Sequence, residues 1–375
     1  MITGIYDSSG TGLYIHVPFC YSKCAYCGFY STVPDDGMID EYLLHLEDEI
    51  GKRLEESREE IHTIFVGGGN PMCLGLSGLR RLAEMVLKSV AADSIREWTY
   101  EANPENLSSE VVQFLKELPG IRISIGVQRF CDAQLELLGR RARMPDVTTA
   151  LELCQKHISN FGIDLILGVP QCPSLAAGLP KICKEFSIQH VSAYFLSVEP
   201  DSVLQKLVDD NKFPDPDGAD PLELFEVREK LLAEGFEHYE ISNYARPGRR
   251  CLHNMNYWKP GDYIGVGPAA VGTQQSLRTY NPSDLTRWLS DETPACEQLS
   301  SVDRRNEYVM LRLRLLSDGL NLASLERRFG VQEKSFYMEL AMQVDRGNLV
   351  RDGNLVKLSR NGIIYADSII AALFI

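Results

Sequence analysis

The 375-residue chain contains no run of about 20 apolar residues, the length a helix needs to cross a bilayer, so no transmembrane segment is expected. Its opening residues 1–11 lack the basic and apolar regions of a secretory leader, and the expected location is the cytoplasm. Positive charge is scarce as well. With 38 Lys and Arg against 52 Asp and Glu the net charge is −14, which repels phosphate backbones and anionic lipid over most of the surface and argues against a nucleic-acid partner. The 29 Gly and 18 Pro are dispersed, with no internal repeat or low-complexity tract, which sets aside collagen-like and disordered classes. A second group of clustered cysteines is also missing. Of ten, only Cys20, Cys24 and Cys27 lie together, while those at 73, 131, 154, 172, 183, 251 and 296 stand singly and read as small buried hydrophobes. Thiols of a large cytoplasmic chain stay reduced, so the cluster points to a metal rather than to disulfides.

At a prior of about 150 residues per domain, the length predicts two or three domains. Runs rich in β-formers at 13–17, 63–66, 97–101, 122–127, 161–167 and 190–196 alternate with helical patterns. The clearest helix is 40–56, where Leu43, Leu46, Ile50 and Leu54 recur at steps of three and four on one face; others fall at 76–87, 110–118, 145–157 and 175–186. Such alternation implies right-handed crossovers and a parallel sheet, either open and doubly wound or curled into a barrel. Six repeats are two short of a closed eightfold barrel. A polar stretch at 209–220, with five Asp, Pro214 and Pro216, reads as a surface loop before a helix at 222–234. The core is therefore placed at 1–235, a Gly- and aromatic-rich connecting segment at 236–290, and a mainly helical domain at 291–375. In the last, helices at 307–316 and 322–329, a hairpin turning at Asp352-Gly353-Asn354 and a helix at 362–373 suggest a winged-helix-like unit. Residues 301–375 carry 11 Lys and Arg against 9 Asp and Glu, too even a balance for a DNA footprint.

Cys20, Cys24 and Cys27 form a C-x3-C-x2-C run directly after the first strand and the Pro18-Phe19 turn. Three soft thiolates on one loop suit an iron–sulfur cluster or zinc, yet structural zinc wants four ligands, and no second pair exists here. A 4Fe-4S cluster on three cysteines leaves one iron open to a small molecule that carries an amine and a carboxylate. In this setting the run resembles the signature of the radical S-adenosylmethionine enzymes, which follows the first strand of a partial barrel. The resemblance implies a 4Fe-4S cluster and S-adenosylmethionine, whose sulfonium is cleaved by one electron to a 5′-deoxyadenosyl radical.

Further segments narrow the likeness. Tyr14-Ile15-His16-Val17-Pro18-Phe19-Cys20, Val66-Gly67-Gly68-Gly69-Asn70-Pro71, Tyr100-Glu101-Ala102-Asn103-Pro104, Ile123-Ser124-Ile125-Gly126-Val127-Gln128, Leu138-Gly139-Arg140, Ile163-Asp164-Leu165-Ile166 and Tyr239-Glu240-Ile241-Ser242-Asn243-Tyr244-Ala245 resemble the oxygen-independent coproporphyrinogen III oxidase family, a colinearity that runs from about 13 to 330. The fold so implied is a partial (β/α)6 radical-SAM barrel with a C-terminal, mainly helical, winged-helix-like domain. Glycines at 67–69 let backbone approach a ligand closely, while Glu101, Gln128 and Asp164 at strand ends offer acceptors and Arg140 a fork for a carboxylate. By the same resemblance Tyr14, Tyr26, Gly68, Gly69 and Asn70 line the cofactor sites. The chain also departs from the family. Relatives usually have Thr at Asn70, and an acidic residue is common at Gly28, where glycine implies a looser cluster loop. A Gly-Pro-Gly-Ala-His pattern stands here as Gly267-Pro268-Ala269-Ala270-Val271, without the histidine.

Two functions compete. Oxidases of this family carry a fourth cysteine two residues beyond the third and a longer N-terminal arm; here that position is Phe29, and 13 residues precede Tyr14. The family's heme-chaperone group is marked instead by His-Asn-x-x-Tyr-Trp, matched by His253-Asn254-Met255-Asn256-Tyr257-Trp258. Heme binding is thereby expected, with His253 as a candidate axial ligand beside Tyr257 and Trp258, and His238 or Cys251 as substitutes. A chaperone of this kind implies two further partners, an electron donor and a heme-acceptor protein. Decarboxylation of coproporphyrinogen III in porphyrin biosynthesis, or another radical chemistry, is the alternative.

Overall fold

The computed structural model describes residues 10–216 and 221–374, apart from the side chain of Asp36; residues 1–9 of the opening segment and 217–220 of the acidic loop lie outside the described residues. Six strands, β1 Thr11–Val17, β2 Ile61–Gly68, β3 Glu97–Ala102, β4 Ile121–Gln128, β5 Phe161–Leu167 and β6 His190–Phe195, lie side by side in parallel. Between them run α1 Asp36–Ser57, α2 Gly75–Ser89, α3 Ser109–Leu115, α4 Asp132–Leu137, α5 Met144–His157 and α6 Leu179–Glu185. Along each strand the side chains alternate. Leu13, Ile15, Val17, Ile64, Val66, Ile123, Ile125, Ile163 and Leu165 are buried in the main apolar core. The intervening residues Thr63, Glu97, Thr99, Arg122, Ser124 and His190 are just as buried but polar. Parallel strands covered on both faces are usually apolar throughout. Here the second face is a polar interior.

After β6 come α7 Val203–Asp209 and α8 Leu222–Ala233, then β7 Glu237–Glu240 and β8 Asn243–Ala245, which add antiparallel to β6. The chain crosses through α9 Leu252–Trp258 to the opposite edge, where β9 Tyr263–Val266 pairs in parallel with β1. β10 Val271–Gln274, β11 Leu277–Tyr280 and, after α10 Leu285–Leu289, β12 Ala295–Gln298 complete the sheet. Among the described residues its order is β12-β11-β10-β9-β1-β2-β3-β4-β5-β6-β8-β7, with β12 and β7 as free edges. The barrel is open. The segment expected to connect two domains instead supplies strands to both edges, and residues 295–298, assigned from sequence to the last domain, belong to this sheet.

The C-terminal part is α11 Ser301–Arg314, β13 Leu320–Asn321, α12 Leu322–Phe329, α13 Lys334–Asp345, the hairpin β14 Leu349–Asp352 and β15 Leu355–Leu358, and α14 Ala366–Ala372. The hairpin turns at Gly353, whose φ of 55° suits a two-residue connection. Helix α13 was not anticipated, and the last helix starts at Ala366 rather than 362. Buried Arg305 ties this unit together, donating to Gln332 Oε1 at 2.7 Å and to the Leu373 carbonyl at 2.6 Å. The unit meets the sheet through Arg278 Nη1 and Glu307 Oε1, 2.6 Å apart, and through the Ser317 amide on the Tyr239 carbonyl, 3.1 Å.

Candidate functional site

The cysteine loop leaves β1 at its C-terminal end and is pinned along its length. The Thr32 amide donates to the Pro18 carbonyl at 2.7 Å and the Cys20 amide to Thr32 at 3.0 Å; Ala25 donates to Leu138 at 3.1 Å and accepts from Leu204 at 2.7 Å. The glycine turn after β2 locks onto the same loop: the Gly69 and Asn70 amides donate to the Val17 and Phe19 carbonyls at 2.8 and 2.7 Å. A Cβ on Gly69 would stand 2.6 Å from the Phe19 oxygen, and Gly68 has a φ of +102°, so neither position accepts a side chain without strain. Gly28 is packed too. A Cβ there would meet the Glu199 side chain, with Cγ at 3.0 Å, so a larger residue needs that side chain to shift.

Burial pushes the Cys20 thiol up to about 12 and raises that of Cys27. Among the described residues no three His, Cys, Asp or Glu side chains converge as ligands of a single ion would. Three thiolates that each ligate a different iron need no such convergence. Arg140, 6% exposed, reaches this loop with Nη1 3.5 Å from Cys24 Sγ, while Nη2 donates to Asn103 Oδ1 at 3.0 Å and to the Gly126 carbonyl at 2.6 Å. Its buried Nε has no partner. Tyr26 lies close by, partly buried against Leu138 and Ile166.

The polar interior collects other predicted residues. Glu101 Oε2 accepts from the Gly68 amide at 3.2 Å, and burial, then the neighbouring Asp164 charge, push its carboxyl up to about 8. Asp164, also raised by burial, accepts from Ser124 Oγ at 3.1 Å. Gln128 sits at a bulge of β4 with a φ of 66°, the kind of backbone that surrounding structure must hold in place. The Tyr14 hydroxyl is 3.0 Å from His16 Nδ1, and burial lowers this imidazole to about 4.

Several residues do not stand as expected. The Asn70 side chain is consumed locally: Oδ1 accepts from the Met72 amide at 3.2 Å, capping the turn Pro71–Leu74, and Nδ2 donates to Asn106 at 2.7 Å. His253 is fully buried, with Nδ1 2.9 Å from the Thr63 hydroxyl and Nε2 2.8 Å from that of Tyr257. Its amide and that of Leu252 donate to the Glu97 carboxylate at 3.1 and 3.0 Å. Thr63 and Glu97 open β2 and β3, so the His-Asn-x-x-Tyr-Trp helix closes the N-terminal end of the polar interior, and its imidazole has no nitrogen left for iron. The substitutes fare no better. His238 is bonded to the Ile241 carbonyl at 3.0 Å and to Arg228 at 3.2 Å, and Cys251 is buried against Glu97. Cys73, in the turn after Asn70, is buried as the sequence reading expected, whereas Cys131 and Cys296, read the same way, are exposed.

Six parallel β/α units and a three-cysteine loop beside a glycine turn define a radical SAM protein, and the model of the Radical SAM superfamily matches residues 14–172. That of the HemN C-terminal domain matches 299–365. Among curated proteins the chain is 34% identical over 281 residues to the heme chaperone HemW of Bacillus subtilis, covering 74% of each. To that of Escherichia coli K12 it is 30% identical over 373 residues, covering 96% of each. Among solved structures, E. coli coproporphyrinogen III oxidase (HemN) superposes with a TM-score of 0.81 at 21% identity, over 97% of this chain and 90% of that one. The chain belongs to the HemW family within the radical SAM superfamily, and membership implies a 4Fe-4S cluster and S-adenosylmethionine. The donor set fits them: three thiols on one loop, a backbone cradle without side chains, and a buried guanidinium nitrogen without a partner.

His253→Ala removes two hydrogen bonds and leaves a cavity, and should cost about 3 kcal/mol in denaturant unfolding. Burial lowers the imidazole from 6.5 to about 3, so its neutral form contributes stability that is full above 6.5 and lost as pH falls toward 3. The variant should lose that part of the acid sensitivity; an unchanged unfolding midpoint and pH profile would contradict the structural role.

Proposed function

We propose that this protein is a heme chaperone: it holds a 4Fe-4S cluster on Cys20, Cys24 and Cys27, binds S-adenosylmethionine at the open iron, binds heme and passes it to an acceptor protein. The observation that carries the reading is kinship with proteins named heme chaperones over 96% of both chains. Phe29, where the oxidases carry a further cysteine, agrees with it. When bound, the cluster would supply one electron to the sulfonium. The chain's own contribution is binding and orientation. The Gly68-Gly69 backbone and Glu101 face the methionyl amine, Arg140 its carboxylate, and Gln128 and Asp164 the ribose hydroxyls; Tyr14 and Tyr26 flank the cofactor, and Asn70 acts through the turn it caps.

Arg140→Gln should lower S-adenosylmethionine affinity roughly tenfold or more, the loss of a charge-assisted hydrogen bond, at unchanged iron and sulfide content. Equal affinity in the variant would remove Arg140 from the site. Heme chaperoning is tested with anaerobically reconstituted protein: saturable heme binding and transfer to an apo-acceptor are expected, without turnover of coproporphyrinogen III. Protoporphyrinogen formation at catalytic rates, or no heme binding at all, would overturn the reading.

A further inference from the structure

Where the cluster loop ends, it opens onto a cavity of about 580 Å³. One wall is the sheet, with Tyr263, Ala269 and Val271; the other is the C-terminal domain, with Tyr308, Met310 and Leu311 of α11 and Phe329 of α12. Gly28, Phe29 and Tyr30, the residues directly after Cys27, line the end nearest the loop. Phe29 is 66% exposed, a large apolar side chain beside the metal loop with little protein over it. The volume lies within the usual range of pockets for drug-sized ligands, about 300–1,000 Å³, and mostly apolar walls with a few placed polar groups are what such a ligand needs.

The charged groups narrow the ligand. Arg278, Arg304 and Arg328 all line the cavity, against the two carboxylates Asp262 and Glu307. Arg278 is paired with Glu307 at 2.6 Å, and Asp262 accepts from the Gln275 amide at 2.8 Å while feeling the charge of Arg304. Arg328 lies over the Tyr308 ring at 5.1 Å. The cations therefore outnumber the anions, and Arg304 and Arg328 are both carried on the helical wall. A flat, apolar ligand with two carboxylates on one edge matches that arrangement, because its plane can lie between sheet and helices while its carboxylates meet guanidinium groups.

We propose that this cavity is the heme seat, with Tyr257 rather than His253 of the His-Asn-x-x-Tyr-Trp helix in its wall, the macrocycle between Val271 and Met310, its edge on Phe29, and its propionates toward Arg304 and Arg328. The assignment rests on the chaperone reading and gives that reading a location. Among the described residues His16 is the one imidazole that lines the cavity and Met310 the one thioether. His16 has both ring nitrogens engaged, Nδ1 with the Tyr14 hydroxyl at 3.0 Å and Nε2 with the Tyr30 carbonyl at 3.4 Å, so the walls and guanidinium groups define the seat, and not an axial imidazole.

Heme and its dimethyl ester are titrated into the cluster-loaded, full-length protein, followed by absorption, for the parent, Arg304→Gln/Arg328→Gln, Phe29→Ser and His253→Ala. The seat predicts that the double variant binds heme about tenfold or more weakly and loses preference for the free acid over the diester. Phe29→Ser, at an exposed position that folding does not depend on, should weaken both ligands, and folded His253→Ala should bind as the parent does. Parent-like affinity in both cavity variants, or loss of binding only in His253→Ala, overturns the seat while the chaperone reading stands. A parent protein that binds no heme overturns that reading itself.

Discussion

Two backbone hydrogen bonds hold the site together: Gly69 onto Val17 and Asn70 onto Phe19. They fasten the turn after β2 to the start of the cysteine loop, and they are short because Gly69 has no side chain to keep the chains apart. The loop would otherwise be a long excursion with few apolar contacts. Anchored there, at Thr32, and at Leu138 and Leu204, it presents three thiols at the rim of a parallel sheet, where strand ends deliver polar side chains from separate elements. In the proposed site an open iron, the glycine backbone and the Arg140 guanidinium would meet only if this register is kept.

The polar interior imposes a second constraint. Glu97, Arg122, Asp164 and Glu101 lie within one low-dielectric space, and buried charges persist only when paired or hydrogen-bonded. At its N-terminal end the solution is structural: Glu97 receives the first amides of α9, and His253 fills the space between Thr63 and Tyr257. At the C-terminal end Glu101 and Asp164 are held near one another with raised proton affinity, an arrangement relieved by an incoming cation. One interior thus has an end sealed by α9 and an end where Glu101 meets the glycine turn.

Much of this was legible in the sequence because it is local. The 3.6-residue repeat of Leu43, Leu46, Ile50 and Leu54 lies on α1, the parallel strands fall where β-rich runs were read, and the cysteine spacing is a property of one loop. What sequence could not show depends on partners far along the chain. β8 and β9 are three and four residues long, too short for a periodic signal, and β9 joins the parallel sheet through β1, some 250 residues earlier. His253 reads as a ligand beside two aromatics until Thr63 and Glu97 arrive from other strands. Asn70 reads as a ligand contact until Asn106 and the Met72 amide claim it. The cavity was invisible for the same reason, since its walls come from the sheet and from two C-terminal helices.

The central claim is that the cysteine loop and the glycine turn form one unit in which an open iron meets S-adenosylmethionine. Low-temperature electron paramagnetic resonance of the reduced, reconstituted protein, recorded with and without S-adenosylmethionine, tests it most directly. A single 4Fe-4S signal whose g-values change on adding the cofactor, and no longer change in Gly69→Val protein that retains its iron, is the predicted result. A signal indifferent to S-adenosylmethionine in the parent protein would contradict it.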